Sequence, residues 1–289
     1  MVALVVLNYN DYETTTDFAS SIRNYESIEK IIIVDNCSTD GSYEKLCALR
    51  SEKVDVLRTE ANKGYASGNN FGVRYALQQY DPQYIIISNP DVEFEEKIVC
   101  LLKEKAEQKE NLGLITCKMN CTSGIRLESA WKKPRYQDYL VSSMPIMNRL
   151  IGNTMAYSKE ELSEEVVEVD AVPGSFFMIS AKAFVDVDGL DESTFLYCEE
   201  SILAARLHQK GYRNYLVTTA EYLHKHSVSI NKSIVSVKNR LQILQQSREI
   251  YCTKYLGIGR WKIMLFRLIF TVGLYEYLLL TKIKALLGK

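Results

Sequence analysis

The stretch Tyr84 to Glu93, YIIISNPDVE, decides the fold. Tyr84, Ile85, Ile86 and Ile87 form a continuous apolar run, the pattern of a strand buried on both faces. Pro90 has no amide hydrogen to give a sheet ladder, so the chain leaves the sheet there. Asn89 and Asp91 leave with it, at the carboxyl end of a buried strand, where ligands bind in open α/β sheets. Taken alone, the same residues also read as a strand closed by an Asx-type turn.

The neighbouring sequence repeats the strand, polar loop and helix. Upstream, Val2 to Leu7 is an apolar strand. Asn8-Tyr9-Asn10-Asp11 follows, then a helix from Tyr12 to Tyr25 with Asp11 as N-cap. Lys30 to Val34 is a β-branched strand, Asp35 to Ser42 a polar loop and Tyr43 to Arg50 a short helix. Val54 to Arg58 leads through Asn62 to Asn70 into a helix from Phe71 to Gln79. Strands alternating with helices imply right-handed βαβ units in a mostly parallel sheet, with the polar loops on one edge. Downstream, the pattern predicts a helix over Glu95 to Gln108 and a strand over Gly113 to Lys118. Met119 to Val169 has weak periodicity, which reads as a functional excursion. A strand over Asp170 to Ser180, a small helix over Lys182 to Asp186, a helix over Glu199 to Gly211 and a strand over Arg213 to Val217 follow. Residues 234 to 289 read as helical.

The composition, 47% hydrophobic and 25% charged over 289 residues, excludes global disorder and allows one large core. Seven scattered cysteines without a CxxC pair suit free thiols in a reducing compartment. MVALVVLNYN lacks a basic n-region and reads as a first strand, not a signal peptide. From His224 onward, twelve Lys and Arg face only Glu249 and Glu276, so the tail favours an anionic surface or substrate. No nucleic-acid reader motif accompanies that charge, and no nucleic-acid partner is expected.

The loops carry the chemistry. Asp35 can accept from a base N–H or a ribose hydroxyl, or cap the next helix. There is no GxGxxG after the first strand and no GxxxxGK[ST], so a nicotinamide or P-loop reading lacks its phosphate cradle. The glycines at 64, 68 and 72 are expected to let the chain pass close to a ligand, with a helix N-terminus facing an anion. Asp91 with His224 suits a hard divalent ion if a diphosphate completes the coordination. Glu199 and Glu200 open a helix, where acids complement the dipole and one can act as a general base toward a hydroxyl.

In order, VVLNYN (5–10), IVDNCSTDGS (33–42), NKGYASGNN (62–70), SNPDV (88–92), VPGSFFMISAKAF (172–184), GLDESTFLYCEE (189–200), LHQKGY (207–212) and HKHS (224–227) resemble the inverting glycosyltransferases of family 2. The nearest subgroup in appearance makes bacterial cell-surface polysaccharide and includes rhamnosyltransferase-like enzymes. The resemblance implies a GT-A fold, a Rossmann-like α/β catalytic domain over residues 1–230; the charge and helical pattern of the tail add a basic amphipathic helical region over 231–289. It implies that Asp35 holds the nucleotide, with Asn8 and Asn10 walling the base and Asn62, Lys63 and Asn69 near the donor. Asn89 and Asp91 occupy the DxD position, so Asp91 faces a metal-diphosphate, with Mg or Mn as cofactor. His224, with His226 second, makes the later metal or diphosphate contact. Glu200 aligns with the catalytic base and Glu199 is its neighbour or substitute, while Gly174 and Trp131 border the acceptor. The implied partners are a dTDP- or UDP-linked sugar donor and a glycan or lipid-linked acceptor.

The chain departs from that pattern in having Asn89 for the first DxD acid, Glu200 where Asp is common, and Ile202 where a further Asp often stands. Two alternatives stay open: an inactive sugar-nucleotide-binding homologue, and a sugar nucleotidyltransferase, whose Gly-rich first loop is missing. In the tail, IMLFRLIFTVGLYEYLLLT (263–281) nearly spans a bilayer, but Arg267 and Glu276 would each cost at least ~2.5 kcal/mol at mid-membrane. A helix lying on the membrane surface, or packed on the domain or in a homodimer, is expected instead. The expected location is the cytoplasm, at the inner face of the membrane if the tail docks there.

Overall fold

The computed structural model describes residues 1–122, 128–225 and 236–286. Strands β1 (Val2–Asn8), β2 (Lys30–Asp35), β3 (Val54–Arg58) and β4 (Tyr84–Ser88) pair in parallel in the order β3-β2-β1-β4. The interiors of β1, β2 and β4 are apolar and buried, because helices cover both faces, while β3 at the edge alternates buried Val54 and Val56 with half-buried Asp55 and Leu57. Helices α1 (Tyr12–Ile22), α2 (Ser42–Leu46) and α3 (Tyr65–Tyr80) make the crossovers. Beyond β4 the sheet becomes mixed, which gives the chain a Rossmann-like α/β fold of GT-A type. β8 (Phe176–Ser180) runs antiparallel between β4 and β6 (Leu112–Cys121), and β6 pairs in parallel with β9 (Arg213–His224). The short β5 (Val92–Glu93) and β7 (Val166–Val169) both pair antiparallel with β9. Helices α4 (Glu96–Glu107), α7 (Ala181–Asp186) and α8 (Glu199–Gln209) complete the layers.

Helix α3 begins six residues before the expected Phe71, and this corrects the reading of its glycines. A Cβ at Gly68 would lie 2.4 Å from Leu7 Cδ1, and one at Gly72 2.6 Å from Val34 Cγ2 and 2.7 Å from Val5 Cγ1. These two glycines let the helix lie close on β1 and β2 rather than admit a ligand. Gly64, with φ near 100°, would set a Cβ 2.2 Å from the Phe195 carbonyl oxygen. That carbonyl accepts the Tyr65 amide, so the first free donor of α3 goes to the chain itself and not to an anion.

The Met119–Val169 excursion also has more structure than its sequence predicts. It holds α5 (Tyr136–Ser142), α6 (Pro145–Ile151), β7 and a bridge from Trp131 to Ala156 and Ala171. The strand expected over Asp170 to Ser180 starts only at Phe176, and β9 runs seven residues past Val217 to His224. The C-terminal part comprises α9 (Val237–Ile250), a π-helical turn at Tyr251–Tyr255 and α10 (Arg260–Leu286). With α5 and α8 these helices form a third apolar cluster around Tyr139, Ile202, Tyr251 and Phe266.

Candidate active site

The ends of β1 and β2 lie side by side, with Asn8 and Asp35 in register. Asn8 donates to Asp35 Oδ1 at 2.9 Å and to Ser38 Oγ at 3.2 Å, while the Ser38 amide donates to Asp35 Oδ2 at 3.0 Å. Arg58 Nε stands 3.6 Å from Asp35 Oδ2. Asp35 is fully buried, so both its oxygens already accept from the protein and its clearest work is to fix the loop. Asn10 sits in the left-handed region, and its side-chain oxygen accepts the Thr39 amide. Asn62 accepts from Asn36 and from the Gly64 amide, and Lys63 is exposed on the same rim. Asn36 and Ser38 are the residues of this wall that the sequence reading missed. They lie one and three residues beyond Asp35 in a loop that is mostly polar, DNCSTDGS.

Across the rim, the β4 end is joined to the β8 start by the Asn89 amide, which donates to the Ser175 carbonyl at 2.8 Å. Pairing of β5 with the end of β9 brings His224 Nε2 to 3.2 Å from Asp91 Oδ1, with both residues buried. Two residues separated by 133 positions therefore meet. His226 lies outside the described residues. A carboxylate and an imidazole nitrogen together fit a divalent ion of the Mg or Mn kind whose other positions are filled by phosphate oxygens. Among the described residues, no three His, Cys, Asp or Glu side chains converge, so these residues by themselves do not supply a full coordination shell.

The next segment holds the acid pair. Gly174 donates its amide to Glu200 Oε1 at 3.2 Å, and its carbonyl accepts the Tyr65 hydroxyl at 2.6 Å. A Cβ at Gly174 would stand 3.0 Å from Glu200 Oε1, so the glycine lets the carboxylate rest against the backbone. Glu199 is only 4% exposed, and its Oε1 has no partner among the described residues. Burial, with the adjacent Glu200 charge, raises the Glu199 carboxyl well above its usual range, and burial raises Glu200 as well. The same enclosure, together with the charges of Glu200 and Glu199, raises the Tyr65 phenol. Asn69, one turn along α3, donates to the Tyr65 carbonyl at 3.0 Å and is buried. Trp131 packs behind the pair, its indole N–H donating to Ser201 Oγ at 3.2 Å. Tyr65 and Tyr222 were missed in the sequence; Tyr222, two residues before His224, shares a 2.8 Å hydrogen bond with Ser175.

The loop that leads into α8 is strained and clamped. Tyr197 and Cys198 both have positive φ, near 73° and 68°, immediately before Glu199. Ser247 on α9 donates to the Leu196 carbonyl at 2.7 Å. Lys254 donates to Asp191 Oδ2 at 2.7 Å, and Tyr255 donates to the same oxygen. These contacts, with hydrogen bonds from Ser193, hold the buried Asp191 carboxyl well below the usual range against its desolvation. On the other side, Asn70 donates to the Leu190 carbonyl and accepts its amide. The acid pair is thus presented by a loop held between α3 and the C-terminal helices.

The sequence and the fold both have known counterparts. The chain is 25% identical over 199 residues to the low-salt glycan biosynthesis hexosyltransferase Agl10 of Haloferax volcanii, a match covering 69% of this chain and 59% of that protein. It is 24% identical over 228 residues to the rhamnosyltransferase WbbL of Escherichia coli, covering 78% and 83% of the two chains. In fold it is similar to the mannosyltransferase PcManGT of Pyrobaculum calidifontis, solved with GDP-Man and Mn2+, at 13% identity and a TM-score of 0.57 over 100% of this chain and 80% of that one. The profile of glycosyl transferase family 2 matches residues 3–184, which run from β1 through the Asp91 turn and the Gly174 loop, and the chain belongs to that family.

Proposed function

We propose that this protein transfers a sugar from a nucleoside-diphosphate sugar, dTDP- or UDP-linked, to a hydroxyl of a glycan or lipid-linked acceptor, in the synthesis of a cell-surface polysaccharide. The observation that carries the reading is the adjacency of two chemistries. The Asp91–His224 pair and the Glu199–Glu200 pair stand on segments joined through Asn89, Ser175 and Gly174. Family membership and the rhamnosyltransferase and hexosyltransferase relatives support the same reading.

In this mechanism Glu200 takes the proton of the acceptor hydroxyl while that oxygen attacks the anomeric carbon from the face opposite the leaving diphosphate, with inversion. Its raised proton affinity suits a base that must take up a proton near neutral pH. The Gly174 amide orients the carboxylate, and Tyr65, fixed on the Gly174 carbonyl, walls it from water. Asp91 and His224 would hold the divalent ion, which neutralises charge on the departing diphosphate when bound. The wall of Asn8, Asn10, Asp35, Asn62 and Lys63 receives the nucleoside, with Asn69 behind it and Asn89 beside Asp91. Gly174 and Trp131 border the acceptor side.

Calorimetry with UDP, dTDP and GDP, each with and without Mn2+ or Mg2+, tests the donor half. One nucleotide is expected to bind more tightly with metal, and Asp91→Ala is expected to remove that metal dependence. Failure of all three nucleotides under every metal condition would favour an inactive homologue.

A further inference from the structure

Helix α10 is long and apolar enough to cross a membrane over Arg260–Ile283: its most apolar 18-residue window has a mean hydropathy of 1.8, and only 22% of that window is buried inside the protein. Its two internal charges are nevertheless each engaged by a neighbouring helix, although Arg267 stays exposed. Arg267 donates to Glu249 Oε2 on α9 through Nε at 3.0 Å and Nη2 at 2.7 Å, and the Glu276 carboxylate accepts the Ile146 amide at the start of α6. Between these contacts, a Cβ at Gly273 would stand 1.8 Å from the Ser143 carbonyl oxygen, so α10 lies flush on the junction of α5 and α6. Ile263, Phe266 and Phe270 bury themselves along the same side.

The opposite side is apolar and open. Trp261, Leu265, Leu268, Val272, Tyr275 and Leu279 recur at spacings of three or four and are all exposed, Trp261 by 84% and Leu268 by 62%. The stripe runs for about 27 Å at 1.5 Å per residue. Helix α6, joined to α10 at the Glu276–Ile146 contact, adds Ile146, Met147, Ile151 and the 82% exposed Leu150. Soluble monomers rarely show so long an apolar surface uncovered.

We propose that the outward stripe of α10 and the exposed apolar side chains of α6 form one docking surface for an anionic lipid bilayer, with α10 lying in the plane of the headgroups. Charge selects this occupant. Arg260 and Lys262 stand at one end of the stripe, Lys282 near the other and Arg149 on α6, all exposed. From Ile250 to Leu286 the sole acid is Glu276, already engaged by Ile146. A second copy would set these basic ends against like charge in either a parallel or an antiparallel pairing, whereas anionic headgroups complement them. Trp261, Tyr275 and Tyr277 are the side chains that settle at a headgroup boundary. Spanning is disfavoured, because it would tear α10 from Ser143 and carry Arg267 and Glu276 into hydrocarbon.

The test is flotation of the full chain with vesicles of phosphatidylglycerol and phosphatidylcholine, and with phosphatidylcholine alone, beside analytical ultracentrifugation without lipid. The wild-type protein is expected to float with the anionic vesicles, less at high salt, and to be released by alkaline carbonate. Leu268→Glu and Leu150→Glu are each expected to lower the partition coefficient by about tenfold or more while leaving the thermal melt unchanged. Four results overturn the proposal. Wild-type protein that floats with neither vesicle removes the bilayer. A dimer dissociated by Leu268→Glu, without flotation, assigns the surface to a second copy. Resistance to carbonate makes α10 a span. Normal flotation of Leu150→Glu removes α6 from the surface.

Discussion

The two sides of the candidate site are held in opposite ways. The proposed nucleoside wall is local: Asn8 and Asp35 end adjacent parallel strands whose register places them together, Ser38 follows three residues on, and the three bond to one another. The acid pair is not. Glu200 leans on Gly174, and its loop is fixed by Asn70 on α3, Ser247 on α9 and Lys254 beyond it. A wall built from neighbouring strand ends is as stable as the sheet beneath it. A carboxylate presented by a clamped loop depends on every clamp, and substitutions far from the chemistry reach it.

The largest effect expected from this contrast is at the proposed base. Glu200→Gln should lower kcat by about 10²- to 10⁴-fold while nucleotide binding, measured by calorimetry, stays as in the wild type. If Glu199→Gln is inactive and Glu200→Gln turns over normally, the two acids exchange roles. Next comes the sheet side. Gly72→Val forces side-chain carbons onto Val5 and Val34 and should cost about 1–3 kcal/mol in urea unfolding, with kcat per folded molecule unchanged. A fall in kcat there would show that the wall is not independent of the acid pair.

Asp191→Ala probes the clamp. It removes bonds from Lys254, Tyr255 and Ser193 to a buried carboxylate and should cost about 1–3 kcal/mol. Unlike Gly72→Val, it should also lower kcat; a stability loss with normal kcat would make the clamp purely structural. The smallest effect is expected at Glu199 and depends on pH. Its carboxyl is raised by burial and by Glu200, whereas the unfolded chain ionises at about 4.3. Above that point the unfolded chain has lost a proton that the folded protein keeps, so wild-type stability falls as pH rises through this window. The Tm of Glu199→Gln relative to wild type should therefore rise between about pH 4 and about pH 8. A constant difference would mean that Glu199 is not buried against its charge.

How much was legible varies with the range of the contacts. Strands β1, β2 and β4 follow from apolar runs such as Ile31 to Val34, which can only be buried on both faces. Helix α3 was read six residues short because NKGYASGNN is polar and glycine-rich, and nothing local shows Gly68 and Gly72 facing Leu7, Val5 and Val34. Helices α5 and α6 have seven residues each, too few turns to establish a period. The end of β9 was lost in Thr218-Thr219-Ala220-Glu221, where the register against β6 shifts and alternation breaks.

The sequence alone determined that strands alternate with helices and that polar loops gather at one sheet edge, and it singled out Asp91, Glu199, Glu200 and His224 as candidates for the chemistry. These follow from periodicity and residue type, which are local properties of the chain. The tertiary structure decided that Asp91 meets His224, that Glu200 rests on Gly174, whose carbonyl accepts the Tyr65 hydroxyl, and that the C-terminal helices hold the loop before α8 while Arg267 pairs with Glu249 and Glu276 with the Ile146 amide. Such pairings join residues up to 133 positions apart. They are fixed by β5 pairing with β9 and by the packing of the third apolar cluster, and no local pattern encodes which distant partner a strand end or a helix face will find.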